Sequence, residues 1–162
     1  MTLLNVFTMF VSRGSSSDWC YHNYINFRAI TQARDIRDQL VGIMQKQMIE
    51  VMPGNLKQEG FYDNVKKCLL EGLFMQLAHL ERNGHYLTLK DDQVVAIHPS
   101  TVLDHKPTWV MYQDFVLTSK NYIRSVTQVK PEWFFELNNE YFDLDEFKNG
   151  EAKRKLEKIK AK

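Results

Sequence analysis

The sequence predicts an α+β protein: an N-terminal helical bundle, then a small antiparallel β-barrel, then a C-terminal helix. Three observations predict it. Apolar residues recur at helical spacing through most of residues 2–81. Between residues 85 and 129 that period gives way to short runs rich in β-branched and aromatic residues, separated by polar turns. After Pro131 the helical spacing returns. Four or five short strands with polar turns fit a small barrel such as the OB-fold, although periodicity alone does not choose it over another β-sheet.

A chain of 162 residues holds one or two small domains, and 44% hydrophobic content with 12% aromatics supplies a core. The net charge of +1 gives no molecule-wide attraction for nucleic acid, so any such site is a local patch. Cys20 and Cys68 form no CxxC pair and fit two buried thiols in a reducing compartment. The apolar opening TLLNVFTMFV lacks a charged leader and a cleavage site, and it is too short to span a bilayer. A soluble, intracellular chain with no membrane partner is expected.

Leu3, Leu4, Phe7, Phe10 and Val11 place the first helix near residues 2–12. It opens on an apolar stripe with no capping residue before it, which reads as an N-terminal truncation. In the Gly/Ser loop that follows, Ser17 or Asp18 caps a helix at 17–25. Trp19, Cys20, Tyr24 and Phe27 read as its core. Asn23, Asn26 and Arg28 have two readings: a solvated or capping face, or amides and a guanidinium that hydrogen-bond RNA. Residues 31–48 carry the stripe Ala33, Ile36, Leu40, Ile43 and Met44, with Arg34 and Asp38 spaced for an i,i+4 pair. A loop containing Pro53-Gly54 leads to a second long helix at 60–81. Phe61, Val65, Cys68, Leu69, Leu73, Leu77 and Leu80 face inward from it. Gly72 costs that helix about 1 kcal/mol against Ala and points to close packing. Asn83-Gly84 ends it, placing the boundary between a helical domain, 1–82, and a barrel domain, 83–162.

Runs at 85–89 and 93–97 flank Lys90-Asp91-Asp92 and predict a hairpin. Runs at 108–117 and 121–129 flank Thr118-Ser119-Lys120. In the last run Tyr122, Arg124, Val126 and Gln128 share one face, and Ile123, Ser125, Thr127 and Val129 the other. Lys120, Tyr122 and Arg124 then offer two cations for phosphates and one aromatic surface for a base, as single-stranded RNA requires. Lys106 can extend this patch. The competing reading puts Tyr122 in the barrel core and leaves the cations merely solvated. Ser100 and Thr101 lie on a Pro-anchored inter-strand loop, the kind that frames oligonucleotide sites. His98, Asp104 and His105 fit no familiar metal-ligand spacing.

Glu132, Glu136, Glu140, Asp143, Asp145 and Glu146 make residues 132–146 acidic. The tail, 147–162, reverses sign with seven basic residues against Glu151 and Glu157. Ala152, Leu156 and Ile159 make it an amphipathic helix, read either as a packed helix with a solvated face or as a basic RNA-binding helix. No two glycines have Walker A spacing, and no DEAH, GK[ST] or GxSxG string occurs. No catalytic residue, metal site or cofactor is assigned, and the chain by itself is not expected to hydrolyse ATP.

The strings HYLTLKDDQVVAIHPSTVLDHKPTWVMYQDFVLTSKNYIRSVTQVKPEW resemble the C-terminal OB-fold of DEAH-box RNA helicases, of the G-patch-activated type acting in pre-mRNA splicing and ribosome biogenesis. TLLNVF, DWCYHNYINFRAI, DIRDQL and GLFMQLAHLERNGHYLT resemble that family's ratchet-like helical region. The likeness runs from Thr2 to about Lys160. It implies a winged-helix domain and two RecA-like domains upstream, with ATP and Mg bound there. It also implies single-stranded RNA and G-patch-type activators as partners, and a nuclear location extending to nucleolus and cytoplasm. It brings Asn26 and Arg28, the HPST loop and TSKNYIR close to the RNA path. A stand-alone RNA-binding or protein-docking module is the alternative.

Overall fold

The computed structural model describes residues 2–52, 54–137, 141–145, 147–148 and 150–161. Glu140 and Glu146 of the acidic stretch lie outside them. The chain divides into two compact units, Met1–Gln58 and Glu59–Lys162.

The first unit holds α1 (Thr2–Ser12), α2 (Ser17–His22) and α3 (Phe27–Lys46). Phe10, Cys20 and Ile30 form its core, with Val6, Phe7, Trp19 and Ile25 against them. Ser16, not Ser17 or Asp18, caps α2, accepting from the Trp19 amide at 3.2 Å. Each helix closes on a left-handed residue: Gly14, Tyr24 and Met48, with φ of 71°, 56° and 58°. The next amide then reaches back to Phe10, Cys20 or Met44, a Schellman closure. This corrects the reading of Tyr24 as core. A side chain at that position swings off the helix end, and Tyr24 is fully exposed. Leu3, Val11, Phe27 and the α3 stripe of Ile36, Leu40, Ile43 and Met44 are exposed as well. Arg34 and Arg37 pair with their sequence neighbours Asp35 and Asp38, so the expected Arg34–Asp38 pair is replaced.

In the second unit the long helix expected at 60–81 stops early. α4 spans Phe61–Gly72, and Leu77–Leu80 is a strand, β1. The Leu73, Leu77, Leu80 spacing continues the helical period, yet pairing with two neighbouring strands overrides it. Residues 82–85 are therefore a turn within the sheet, with Gly84 left-handed at φ 84°. Nothing approaches the position a Gly72 Cβ would take, so close packing is not the role of that glycine. Leu70 faces the core from α4, while Cys68, expected to be buried, is exposed.

The remaining strands are β2 (Tyr86–Thr88), β3 (Val94–Ile97), β4 (Trp109–Met111), β5 (Asp114–Leu117), β6 (Asn121–Arg124) and β7 (Thr127–Gln128). They order as β5-β6-β3-β2-β1-β4-β7. The two long runs expected at 108–117 and 121–129 are each broken, the second where Ser125 takes φ 53° and interrupts the alternation. The register is unbroken, however. From Val110↔Gln128 to Asp114↔Arg124, four residues forward on one strand match four back on the other. β4–β5 and β6–β7 are thus the two arms of one bent hairpin. One half pairs with β1 through β4, and the other pairs with β3 through β6. The sheet curls into a ring of five strands, the OB-type barrel. One pair, β3 with β6, is parallel, so the barrel is not wholly antiparallel.

Period-two alternation sorts the side chains. Ala78, Tyr86, Val95, Val110, Tyr112 and Ile123 fill the interior. Leu77, Trp109, Met111 and Val129 point outward, where Leu70 of α4, Trp133 and Phe134 of α5 (Glu132–Leu137) and Leu156 of α6 (Glu151–Lys160) cover them in a second core. The helices cover the outer face at β1 and β4.

His79, fully buried beside Trp109 with ring centroids 4.4 Å apart, joins these layers. Its Nδ1 lies 2.9 Å from Glu81 Oε1, and Lys155 Nζ of α6 lies 3.1 Å from its Nε2. The neutral ring, donating at Nδ1 and accepting at Nε2, satisfies both. Burial and the Lys155 charge hold the imidazole below its usual pKa, although Glu81 and Glu151 pull the other way. A depressed imidazole pKa means that the unfolded chain binds the proton more readily. The resulting stability is present above the unfolded value of about 6.5 and is lost as pH falls below it. Urea midpoints between pH 8 and pH 5 are expected to fall more steeply for the parent than for His79→Gln; parallel curves refute this role.

Candidate nucleic-acid interface

β6 carries the centre of the candidate interface. Ile123 is fully buried inside the barrel, so its neighbours Tyr122 and Arg124 point to the outer face. This decides between the two readings of Tyr122: it is half-buried on the outside and not part of the interior. Across the ladders its partners are Ala96 and Val116. These neighbours are small, a methyl and an isopropyl group, and Tyr122 is partly exposed. Arg124 is exposed, opposite Asp114, a carboxylate that moderates the local positive charge.

The loop after β3 comes to the same place. The His98 amide bonds the Ile123 carbonyl at 3.0 Å, extending the parallel ladder by one residue. The His98 ring meets Tyr122 edge-on, with centroids 5.4 Å apart. Its Nδ1 accepts from the Ser100 amide at 3.1 Å and lies 2.8 Å from Ser100 Oγ, which fixes the loop. Thr101 binds the His98 carbonyl through its amide, and its hydroxyl accepts from the Leu103 amide at 3.2 Å. His98, Ser100 and Thr101 therefore gather with Tyr122. His98 opens the HPST loop that the resemblance brings close to the RNA path, and only Ser100 and Thr101 of that loop are expected above as RNA-binding residues, although positions 94, 96 and 98 alternate onto one strand face. His105 pairs with Asp104, which raises the imidazole pKa, and among the described residues no three metal-type ligands converge.

The other residues are dispersed. Lys120 is exposed in the β5–β6 turn, where the Thr118 hydroxyl binds its carbonyl, and Asn121 next to it reaches the Val94 carbonyl at 3.5 Å. That turn lies at the start of β3, whereas the His98 loop leaves its end. Lys120 is thus at the opposite end of the strand from the His98 loop. Lys106 donates to the Gly84 carbonyl at 3.2 Å, tying the loop to the β1–β2 turn, not to the β5–β6 turn. Asn26 and Arg28 belong to the first unit. The Asn26 side chain caps α3 by accepting from the Ala29 amide at 3.0 Å, and Arg28 is exposed in the first turn.

Residues 65–141 match the model of the oligonucleotide/oligosaccharide-binding (OB)-fold family. The match covers the whole ring, α5 and the part of α4 from Val65 onward. The fold and the exposed aromatic–cation face agree in chemistry: both suit an oligonucleotide, whose bases stack and whose phosphates need cations.

Proposed function

We propose that this chain is the accessory RNA-binding C-terminal region of an ATP-dependent DEAH-box RNA helicase of pre-mRNA splicing and ribosome biogenesis. It guides single-stranded RNA and contacts G-patch-type activators in the nucleus. ATP and Mg belong to the RecA-like domains of that enzyme, and this chain contributes no cofactor ligand. Two things support the helicase assignment: the OB family in question occurs at the C-termini of DEAH-type helicases, and the ordered strings from Thr2 onward resemble those enzymes. RNA as ligand rests on one observation above all. Tyr122 and Arg124 share the outward face of β6, with the His98 ring packed on Tyr122 and Ser100 bonded to His98.

On this reading a base stacks on Tyr122, Arg124 and Lys120 neutralise phosphates on either side, and the Ser100 and Thr101 loop lies along the backbone. Tyr122→Ala is expected to weaken binding of a single-stranded RNA by about 1–3 kcal/mol with little change in salt dependence. Arg124→Ala is expected to flatten the log–log salt slope by about 0.7, the value of one phosphate contact on a single strand. Fluorescence anisotropy at several salt concentrations reads both, with folding checked by circular dichroism. Folded variants that bind like the parent at every salt would remove RNA from this face.

A further inference from the structure

We infer that a second phosphate station for the same RNA lies in the groove between α6 and the β1–β2 turn, lined by Arg82, Glu151, Arg154, Lys155 and Lys158. This inference rests on the reading of the β6 face as an RNA site and extends the path of the strand beyond it. Four cations and one carboxylate converge there from segments far apart in sequence.

The groove is organised in advance. Glu151 reaches both Arg82, at 3.6 Å, and Lys155, at 2.8 Å, and so ties the turn to the helix. Lys155 is further held against the buried His79. With Glu151 engaged twice, Arg154 and Lys158 have no ion-pair partner among the described residues, and both are exposed. They stand at i,i+4, one helical turn apart, where like charges repel. An anion laid across them removes that cost and gains two charge-assisted contacts.

The chemistry of the ligand follows from how α6 is packed. Its apolar residue Leu156 is fully buried in the core of the second unit, so the helix has no free apolar face with which to enter a lipid interface. Although Glu157 is exposed on the same helix, what α6 presents to the groove is Arg154, Lys155 and Lys158 beside Glu151, a mainly cationic lining that complements a chain of phosphodiesters. This lining also joins the route already described. The loop that starts at His98 on Tyr122 returns to the β1–β2 turn through Lys106, whose ammonium group binds Gly84, two residues beyond Arg82. A strand leaving the β6 face along this loop meets Lys106, then Arg82, then α6.

The test compares the whole chain with Arg154→Gln/Lys158→Gln and with Tyr122→Ala, using oligouridylates of about 6 and about 18 nucleotides, one near the lower end of the range of OB sites and one beyond its upper end. Neither glutamine disturbs a buried contact. The double variant is expected to bind the short oligomer like the parent and to lose affinity for the long one. Its salt slope for the long oligomer should drop by about 1.4, at about 0.7 per contact. Tyr122→Ala should weaken both lengths. If the double variant binds both lengths like the parent while Tyr122→Ala does not, the station is refuted and the β6 site stands. Equal losses at both lengths would place the groove inside the primary grip and refute a separate station. A parent that binds neither length would overturn both readings. An acidic peptide that binds the groove while RNA binding is unchanged in the double variant would give the surface to a protein.

Discussion

Phe134→Ala is expected to destabilise the Glu59–Lys162 unit by about 3–5 kcal/mol, the usual cost of emptying a large aromatic site in a packed core. Phe134 is fully buried where the outer face of the barrel meets its helices. Its ring stacks on Phe142 with centroids 5.1 Å apart and meets Trp109 edge-on at 5.6 Å. The ring also belongs to the cluster that receives Leu70 from α4 and Leu156 from α6. Removing it leaves a cavity lined by groups from several elements, and no single one of them can collapse to fill it. Urea unfolding followed by the fluorescence of Trp109 and Trp133 measures the loss. A loss under about 1 kcal/mol, the scale of a surface substitution, would show that this layer is not the stabilising one.

The second large effect separates the inside of the barrel from its outside. Ile123→Ala is expected to cost about 2–5 kcal/mol, because the side chain is fully enclosed with Val95, Val110 and Tyr112. Tyr122→Ala, one residue away, is expected to change stability by about 1 kcal/mol or less while weakening RNA binding. The two neighbours should therefore part company: one variant unfolds easily, and the other stays folded and binds poorly. If instead Tyr122→Ala were the more destabilising, the alternation of β6 would be reversed and its outward face would not be the one that carries Arg124. The same urea titrations read both variants.

The contrast also shows what residue pattern can convey. The hairpin of β2 and β3 was legible because a polar Lys90-Asp91-Asp92 interrupts two β-rich runs. The facing of Tyr122 with Arg124 was legible because alternation is local. β1 was hidden: Leu77-Ala78-His79-Leu80 follows a helix in period, and only its partners Tyr86–Thr88 and Trp109–Met111 make it a strand. The parallel match of β3 with β6 was hidden for the same reason, since periodicity reports a face and not a neighbour. Ser125 breaks a run through its backbone angle, which no side-chain pattern announces. Among the site residues, charge and hydroxyl alone could not show that Asn26 is spent on a helix cap or Lys106 on a carbonyl. His98 shows the converse. A residue first weighed as a metal ligand is a ring packed against the central tyrosine, and strand alternation alone could have found it.

Curling the sheet through a bent hairpin has a consequence for how this molecule meets other chains. A flat sheet ends in two rows of unpaired amides and carbonyls, which invite another strand to add on and which seed aggregates. Here, among the described residues, the open ladders are the outer edges of β5, four residues long, and β7, two residues long. The longer of them begins with Asp114, a charge that discourages a hydrophobic strand from docking there. Recognition by strand addition is thereby confined to a few backbone bonds. Partners of this barrel must be met by side chains on its faces and rim, and self-assembly through its edges has little to start from.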